Sequence, residues 1–230
     1  MSQQTETGLF AQTVALPIFP TFIWLHQLGA ERVATLNREI VQGLEDLMGP
    51  LPQLEPGQTW QSDQTLHRYP EFAGLVEVIR IASRGVLEAL EVEYDDFIIT
   101  GCWANMNPPG SPHPSHTHPN NFLSGVYYVQ VPEKVDMISF QDPRAQRYII
   151  DPAVRSQNQF NQLIHNVKVQ TGTLAMFPAW LPHSVIPNES SEIRTSIAFN
   201  IMLSDFAETI AQAKWPGIKL RRPHGARQQD

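Results

Sequence analysis

The chain has one cysteine in 230 residues, Cys102, which excludes any disulfide within the chain and fits a reducing compartment. No apolar run approaches the roughly 18 residues that a membrane-spanning helix needs. Met1 to Thr7 is polar, with no basic stretch leading into an apolar one, so a leader peptide is not expected and a cytoplasmic protein is. Basic residues are scarce and scattered. The only short run, Lys219-Leu-Arg221-Arg222, sits in a polar tail, and the net charge is −7. Phosphate backbones need clustered Lys and Arg, so a nucleic-acid partner is not expected either, nor is a membrane. Internal repeats are also missing.

What remains is a globular composition, 42% hydrophobic and 17% charged, with enough length for one large core. Leu16-Pro-Ile-Phe-Pro-Thr-Phe-Ile-Trp24 is apolar and broken by proline, as suits an edge strand or an extended lead-in. Val33, Leu36, Ile40, Leu44 and Leu47 recur at helical spacing between Gly29 and Met48, and Gly49-Pro50 ends that helix. Residues 50–68 read as a proline-rich loop. A second helix is predicted over 70–90, with Phe72, Leu75, Val76, Ile79, Val86, Leu87 and Leu90 along one stripe. After Tyr94 the period turns strand-like. Runs at 97–103, 123–131, 137–140, 166–170, 173–177, 183–186 and 193–203 are separated by turn residues. Many short strands after a helical start suggest an α+β chain ending in a sandwich or jelly roll. The expectation is a single domain over 1–230. It comprises a helical part (1–94), a catalytic core (95–204), and a final short helix and tail (205–230).

Chemistry concentrates in His113-Pro-Ser-His116-Thr-His118-Pro119, where three of the eight histidines fall within six residues. His183 follows in an aromatic, proline-rich turn. Imidazole is the commonest protein ligand for transition metals. Side chains at i and i+2 of a strand share a face, so His116 and His118 could grip one ion together, with His183 closing the set from another strand. Eleven residues after His183 comes Arg194, which shares a strand face with Ser196 while Ile197 and Phe199 share the other. A buried arginine needs an anion, and its planar fork suits a carboxylate; a salt bridge to Asp or Glu is the alternative. Of the neighbours Tyr127 and Tyr128, one should point inwards. Trp103, Asn105 and His113 are further pocket candidates, with packing or turn roles as the alternative. His26, His67, His165 and His224 lie outside the constellation.

These motifs resemble a known family. His116-Thr-His118-Pro119, Leu123-Ser-Gly-Val-Tyr-Tyr128, Phe140-Gln-Asp-Pro-Arg144, Gly172-Thr-Leu-Ala-Met-Phe-Pro178, Trp180-Leu-Pro-His183 and Arg194-Thr-Ser-Ile-Ala-Phe-Asn200 are similar, in order and spacing, to the 2-oxoglutarate/Fe(II) oxygenases of the prolyl-hydroxylase-like group. The resemblance spans about residues 100–202. It implies a double-stranded β-helix, or cupin-like jelly roll, with the N-terminal helices packed on its outside. It implies Fe(II) on His116, His118 and His183, and 2-oxoglutarate as cosubstrate. Arg194 and Ser196 would hold the far carboxylate of 2-oxoglutarate, with Tyr128 as helper and Asn105 grouped with them as cofactor-binding. O2 and a small-molecule or peptide substrate would complete the reaction, a hydroxylation, and a homodimer is one assembly open to it. The wider superfamily has Asp or Glu where this chain has His118. A small residue there would suit a halogenase, and histidine does not. The rivals are a three-histidine zinc hydrolase or dioxygenase that does not use 2-oxoglutarate, and a non-catalytic metal-binding jelly roll. Nothing in the sequence names the substrate.

Overall fold

The computed structural model describes residues 12–49, 52–145 and 149–205. The strand β1 (Trp24–Gln27) leads into helix α1 (Ala30–Met48). Then come the two-residue strand β2 (Trp60–Gln61), two short 3-10 turns at Leu66–Arg68 and Pro70–Phe72, and helix α2 (Ala73–Ala89). Eight strands follow: β3 (Phe97–Asn107), β4 (His113–His116), β5 (Leu123–Gln130), β6 (Met137–Gln141), β7 (Ile164–Lys168), β8 (Thr173–Pro178), β9 (His183–Val185) and β10 (Arg194–Leu203). Six form one sheet in the order β1-β8-β5-β10-β3-β2, and four form another in the order β4-β9-β6-β7. Every pairing between named strands is antiparallel. The result is the jelly roll that the resemblance implied.

The central strands β5, β8 and β10 of the six-stranded sheet are buried on both faces, which is why they do not read as clean alternations. Its outer face carries Tyr127, Leu174, Met176, Ile197 and Phe199. These pack on Leu36, Ile40 and Leu44 of α1 and on Leu75, Ile79, Val86 and Leu87 of α2. Its inner face carries Tyr128, Ala175 and Phe177, packed on Ile138 and Phe140 of the smaller sheet. The helices thus cover the outside through the stripes their spacing predicts, although Leu47 and Leu90, at the ends of those stripes, are exposed. Helix α1 also bonds the sheet directly. Asn37 Nδ2 donates to the Val129 carbonyl (2.7 Å), and the Tyr127 hydroxyl donates to Asn37 Oδ1 (2.8 Å).

Several boundaries differ from the sequence reading. The second helix begins as a 3-10 turn on Pro70 and becomes α-helical at Ala73. The strand expected to stop at Trp103 continues to Asn107, because β10 pairs with it along its length. The strand expected at 166–170 runs over Ile164–Lys168, paired with β6. The apolar N-terminal stretch is strand only from Trp24, at the edge of the larger sheet. β2 and β4 were not foreseen: one lies in the proline-rich loop, the other spans Pro114. The final helix expected from residue 205 lies outside the described residues.

Gly125 is opposite Phe199 in the β5–β10 register. A Cβ there would lie 2.3 Å from Phe199 Cζ, so the buried ring would have to move. Gly125→Ala should therefore lower stability by about 1–3 kcal/mol, the usual range for overpacking a core. Urea denaturation of the two proteins measures it.

Candidate metal centre

The smaller sheet builds the centre. β4 pairs with β9 so that His116 lies directly opposite His183, and their ring centroids are 4.3 Å apart. His118 lies two residues beyond the end of β4, in a turn held by its backbone N–H, which donates to the Ala179 carbonyl (2.9 Å). Its ring is 4.9 Å from that of His116 and 5.2 Å from that of His183. One ring nitrogen from each of the three lies within 4.8 Å of the others, close enough to converge on one cation. The sequence reading had His116 and His118 side by side on one strand face. Instead the strand ends at His116, and the turn brings His118 round to the same point.

Backbone carbonyls fix two of the tautomers. A carbonyl can only accept, so His116 Nδ1 donates to Pro114 O (2.9 Å) and His183 Nδ1 donates to Leu181 O (3.0 Å). Each Nε2 is then left with its lone pair, the form in which imidazole binds a metal. His183 is 4% exposed, and its ring packs on Phe177 (4.6 Å between centroids). Burial depresses its pKa from the ordinary 6.5 to about 3. Burial likewise lowers His118 and His113 to about 4, each with a further push from neighbouring imidazoles. His183 and His118 are thereby held neutral, the form that can ligate. Asp142, the nearby carboxylate of the 140–144 motif, accepts from Arg144 (2.6 and 2.9 Å) and does not belong to the cluster.

A cavity adjoins the three histidines and reaches to Arg194. The larger sheet supplies its other wall in three rows set by register. Asn107 neighbours Arg194, Asn105 and Tyr128 flank Ser196, and Trp103 and Val126 flank Ala198. Tyr128 is the inward tyrosine, and Tyr127 faces α1. Arg194 is 2% exposed, with its Cζ 5.0 Å from the centre of the Tyr128 ring. Burial lowers the pKa of Arg194, and the Tyr128 hydroxyl opposes that. Burial raises the phenol, and the guanidinium opposes that in turn. The two attract each other, yet Arg194 Nε and the Tyr128 hydroxyl are both sealed from solvent without a hydrogen-bond partner. Buried orphan donors of this kind call for a missing acceptor.

All seven residues singled out as site residues thus line one cavity: His116, His118, His183, Arg194, Ser196, Tyr128 and Asn105. Trp103 and His113 line it as well. Sequence reasoning missed Asn107, which shares strand parity with Asn105 and would have been found had β3 been read to its end. It also missed Gln61, whose Nε2 donates to Asn105 Oδ1 (2.7 Å) from the proline-rich loop. Gln141 was missed too. It accepts from the Ser115 hydroxyl and donates to Ser184 Oγ (3.1 Å), so it ties together the strands carrying His116 and His183.

The chain is thus a jelly roll with a three-histidine centre opening on a cavity with a buried arginine. Residues 101–200, from β3 to β10, match the family model described as "Putative 2OG-Fe(II) oxygenase". That stretch is similar to the domain of the 2-oxoglutarate/Fe(II)-dependent oxygenases, a family whose cofactors are Fe(II) and 2-oxoglutarate. Solved structures with the same fold include the α-ketoglutarate-dependent epimerase SnoN from nogalamycin biosynthesis (TM-score 0.57, 15% identity, covering 80% of this chain and 79% of that one). HygX from Streptomyces hygroscopicus, with nickel and 2-oxoglutarate bound, is another (TM-score 0.53, 12% identity, 80% and 83%). A Pseudomonas putida prolyl-4-hydroxylase is a third (TM-score 0.52, 15% identity, 80% and 93%). No curated protein matches the chain in sequence.

The buried imidazole sets a pH dependence. Between about 3 and 6.5 the unfolded chain binds a proton at residue 183 and the folded chain does not. Stability is therefore unaffected by this group above pH 6.5 and falls as pH drops through that window. Thermal melts of metal-free protein from pH 8 to pH 4 should show the loss, and His183→Gln should show a shallower one.

Proposed function

We propose that His116, His118 and His183 hold Fe(II) through one ring nitrogen each, and that Arg194 binds the far carboxylate of 2-oxoglutarate. Ser196 and Tyr128 add hydroxyl contacts at that carboxylate. The observation that carries this reading is the buried guanidinium with an unpartnered Nε beside an unpartnered phenol, at one end of the cavity that the imidazoles line. A charge so placed needs an anion, since desolvating it alone costs several kcal/mol. No carboxylate side chain lines the cavity among the described residues, so the partner comes from outside the protein. That need has no counterpart in a zinc hydrolase.

Fe(II) with 2-oxoglutarate supplies oxidation by O2 coupled to loss of CO2 and formation of succinate, so that a substrate C–H becomes C–OH. The protein supplies placement. The carbonyls of Pro114 and Leu181 keep the Nε2 lone pairs of His116 and His183 turned to the metal. Gln61 fixes the Asn105 amide with its oxygen outward, which leaves the N–H donors of Asn105 for the cosubstrate. Val126, Ile138 and Ala198 give the site an apolar lining that limits water.

The substrate is read as a small molecule or peptide, in keeping with the hygromycin B bound to HygX and the nogalamycin compound bound to SnoN in other structures of those enzymes. The net charge of −7 speaks against nucleic acid. Among the described residues no helix is long and apolar enough to cross a membrane, and the lone cysteine supports a cytoplasmic site of action. The core that α1 and α2 share with β3, β5, β8 and β10 supports one domain, the helical part and the jelly roll folding together. A homodimer is the assembly to be tested by sedimentation.

Calorimetry of 2-oxoglutarate with the metal-loaded protein under anaerobic conditions tests the reading. Arg194→Gln should weaken binding by about 2–4 kcal/mol, as for loss of a buried charge-assisted pair, with metal affinity nearly unchanged. Absence of binding by the wild type, or equal binding by both, would remove 2-oxoglutarate from the site.

A further inference from the structure

The cavity beside the three imidazoles is free of acid. Its ionisable lining among the described residues consists of four histidines, Arg194 and Tyr128. The chain as a whole is rich in acids, with 23 Asp and Glu against 16 Lys and Arg, so their exclusion here is a property of the site. The other polar lining is neutral and unsatisfied. Asn107 is 5% exposed and its side chain makes no hydrogen bond to a described residue, and the Asn105 amide nitrogen is likewise free. The His113 ring lies 4.6 Å from that of His116 and makes no hydrogen bond to a described residue either.

Charge can be tallied if the metal and cosubstrate assignment above holds, on which this inference rests. Fe(II) brings two positive charges and Arg194 one, the three imidazoles none, and 2-oxoglutarate two negative charges. One positive charge is left over in a site that is buried at His183 and Arg194 and half-buried at His116 and His118. A carboxylate at position 118, the wider superfamily's pattern, would have cancelled it. An uncompensated charge in such surroundings is unfavourable until an anion joins it.

We propose that the cavity takes a monoanionic small molecule, a substrate bearing a carboxylate, whose charge completes the neutrality that His118 leaves open. Its carboxylate meets available N–H donors and no competing acid: the His113 ring, an asparagine amide and the field of the metal centre. An ammonium group would meet no counter-charge anywhere on the lining. Specificity of this kind comes from electrostatic complementarity between site and ligand.

The test uses full-length protein loaded with Fe(II) and 2-oxoglutarate without O2. It is titrated with acetate, azide, neutral acetamide and methylammonium, and followed by the visible absorption of the metal complex and by calorimetry. Acetate and azide should bind at least about ten-fold tighter than acetamide, with 2-oxoglutarate retained, and methylammonium should not bind. In His118→Asp the preference for acetate over acetamide should fall to about one-fold, with 2-oxoglutarate still bound. If that variant does not load metal, the wild-type ratio decides. Equal binding of acetate and acetamide by the wild type, or acetate acting only by displacing 2-oxoglutarate, overturns the anionic substrate and leaves the oxygenase reading intact. Failure of the wild type to bind 2-oxoglutarate overturns both.

Discussion

The register of β10 is the constraint on which the rest depends. This strand pairs with β3 on one side and β5 on the other, and both of its faces are buried. Its odd residues Ile197, Phe199 and Ile201 pack in the core beneath the helices, while Arg194, Ser196 and Ala198 line the cavity. A slip of one residue would exchange the two sets, placing a guanidinium in an apolar core and a phenylalanine in the site. Burial of the core set and placement of Arg194 in the cavity therefore require the same register. The burial of Ile197 and Phe199 holds Arg194 in a position that is costly until an anion arrives.

The smaller sheet does the corresponding work for the metal. Pairing β4 with β9 places two imidazoles side by side, tilted 53° to each other, and carbonyls two residues upstream of each take the Nδ1 protons and leave the other ring nitrogens free. Neither sheet makes the site alone: one supplies the three imidazoles, the other the buried guanidinium. The three-histidine set differs from a carboxylate-bearing one by a formal charge, and that difference changes which molecules the cavity can accept at low cost.

The sequence disclosed these features unevenly, for physical reasons. Arg194 and Ser196 were legible because strand parity is a strict rule once one apolar face is recognised, whereas parity left open which of Tyr127 and Tyr128 faces inwards and only the family resemblance pointed to Tyr128. The histidines were legible as a set, though not their geometry: i+2 spacing suggested one strand, and only the pairing of β4 with β9 shows that a turn carries His118. Asn107 was hidden because asparagine is disfavoured in strands, so the end of β3 read as loop until β10 was seen to pair with it. Gln61 and Gln141 were hidden because their partners are 44 and 26 residues away in the chain, and no local pattern encodes such contacts.

Asn37 gives the helical layer a hold on the chemistry. Its side chain takes both the Tyr127 hydroxyl and the Val129 carbonyl, the two neighbours of Tyr128, from the far side of the sheet. The strand segment that carries the phenol is thereby held by a residue outside the cavity lining. Evolution of a new substrate preference need not begin at the cavity wall, since exchanges along α1 would re-aim that phenol by fractions of an ångström. Laboratory selections confined to lining positions would overlook this handle.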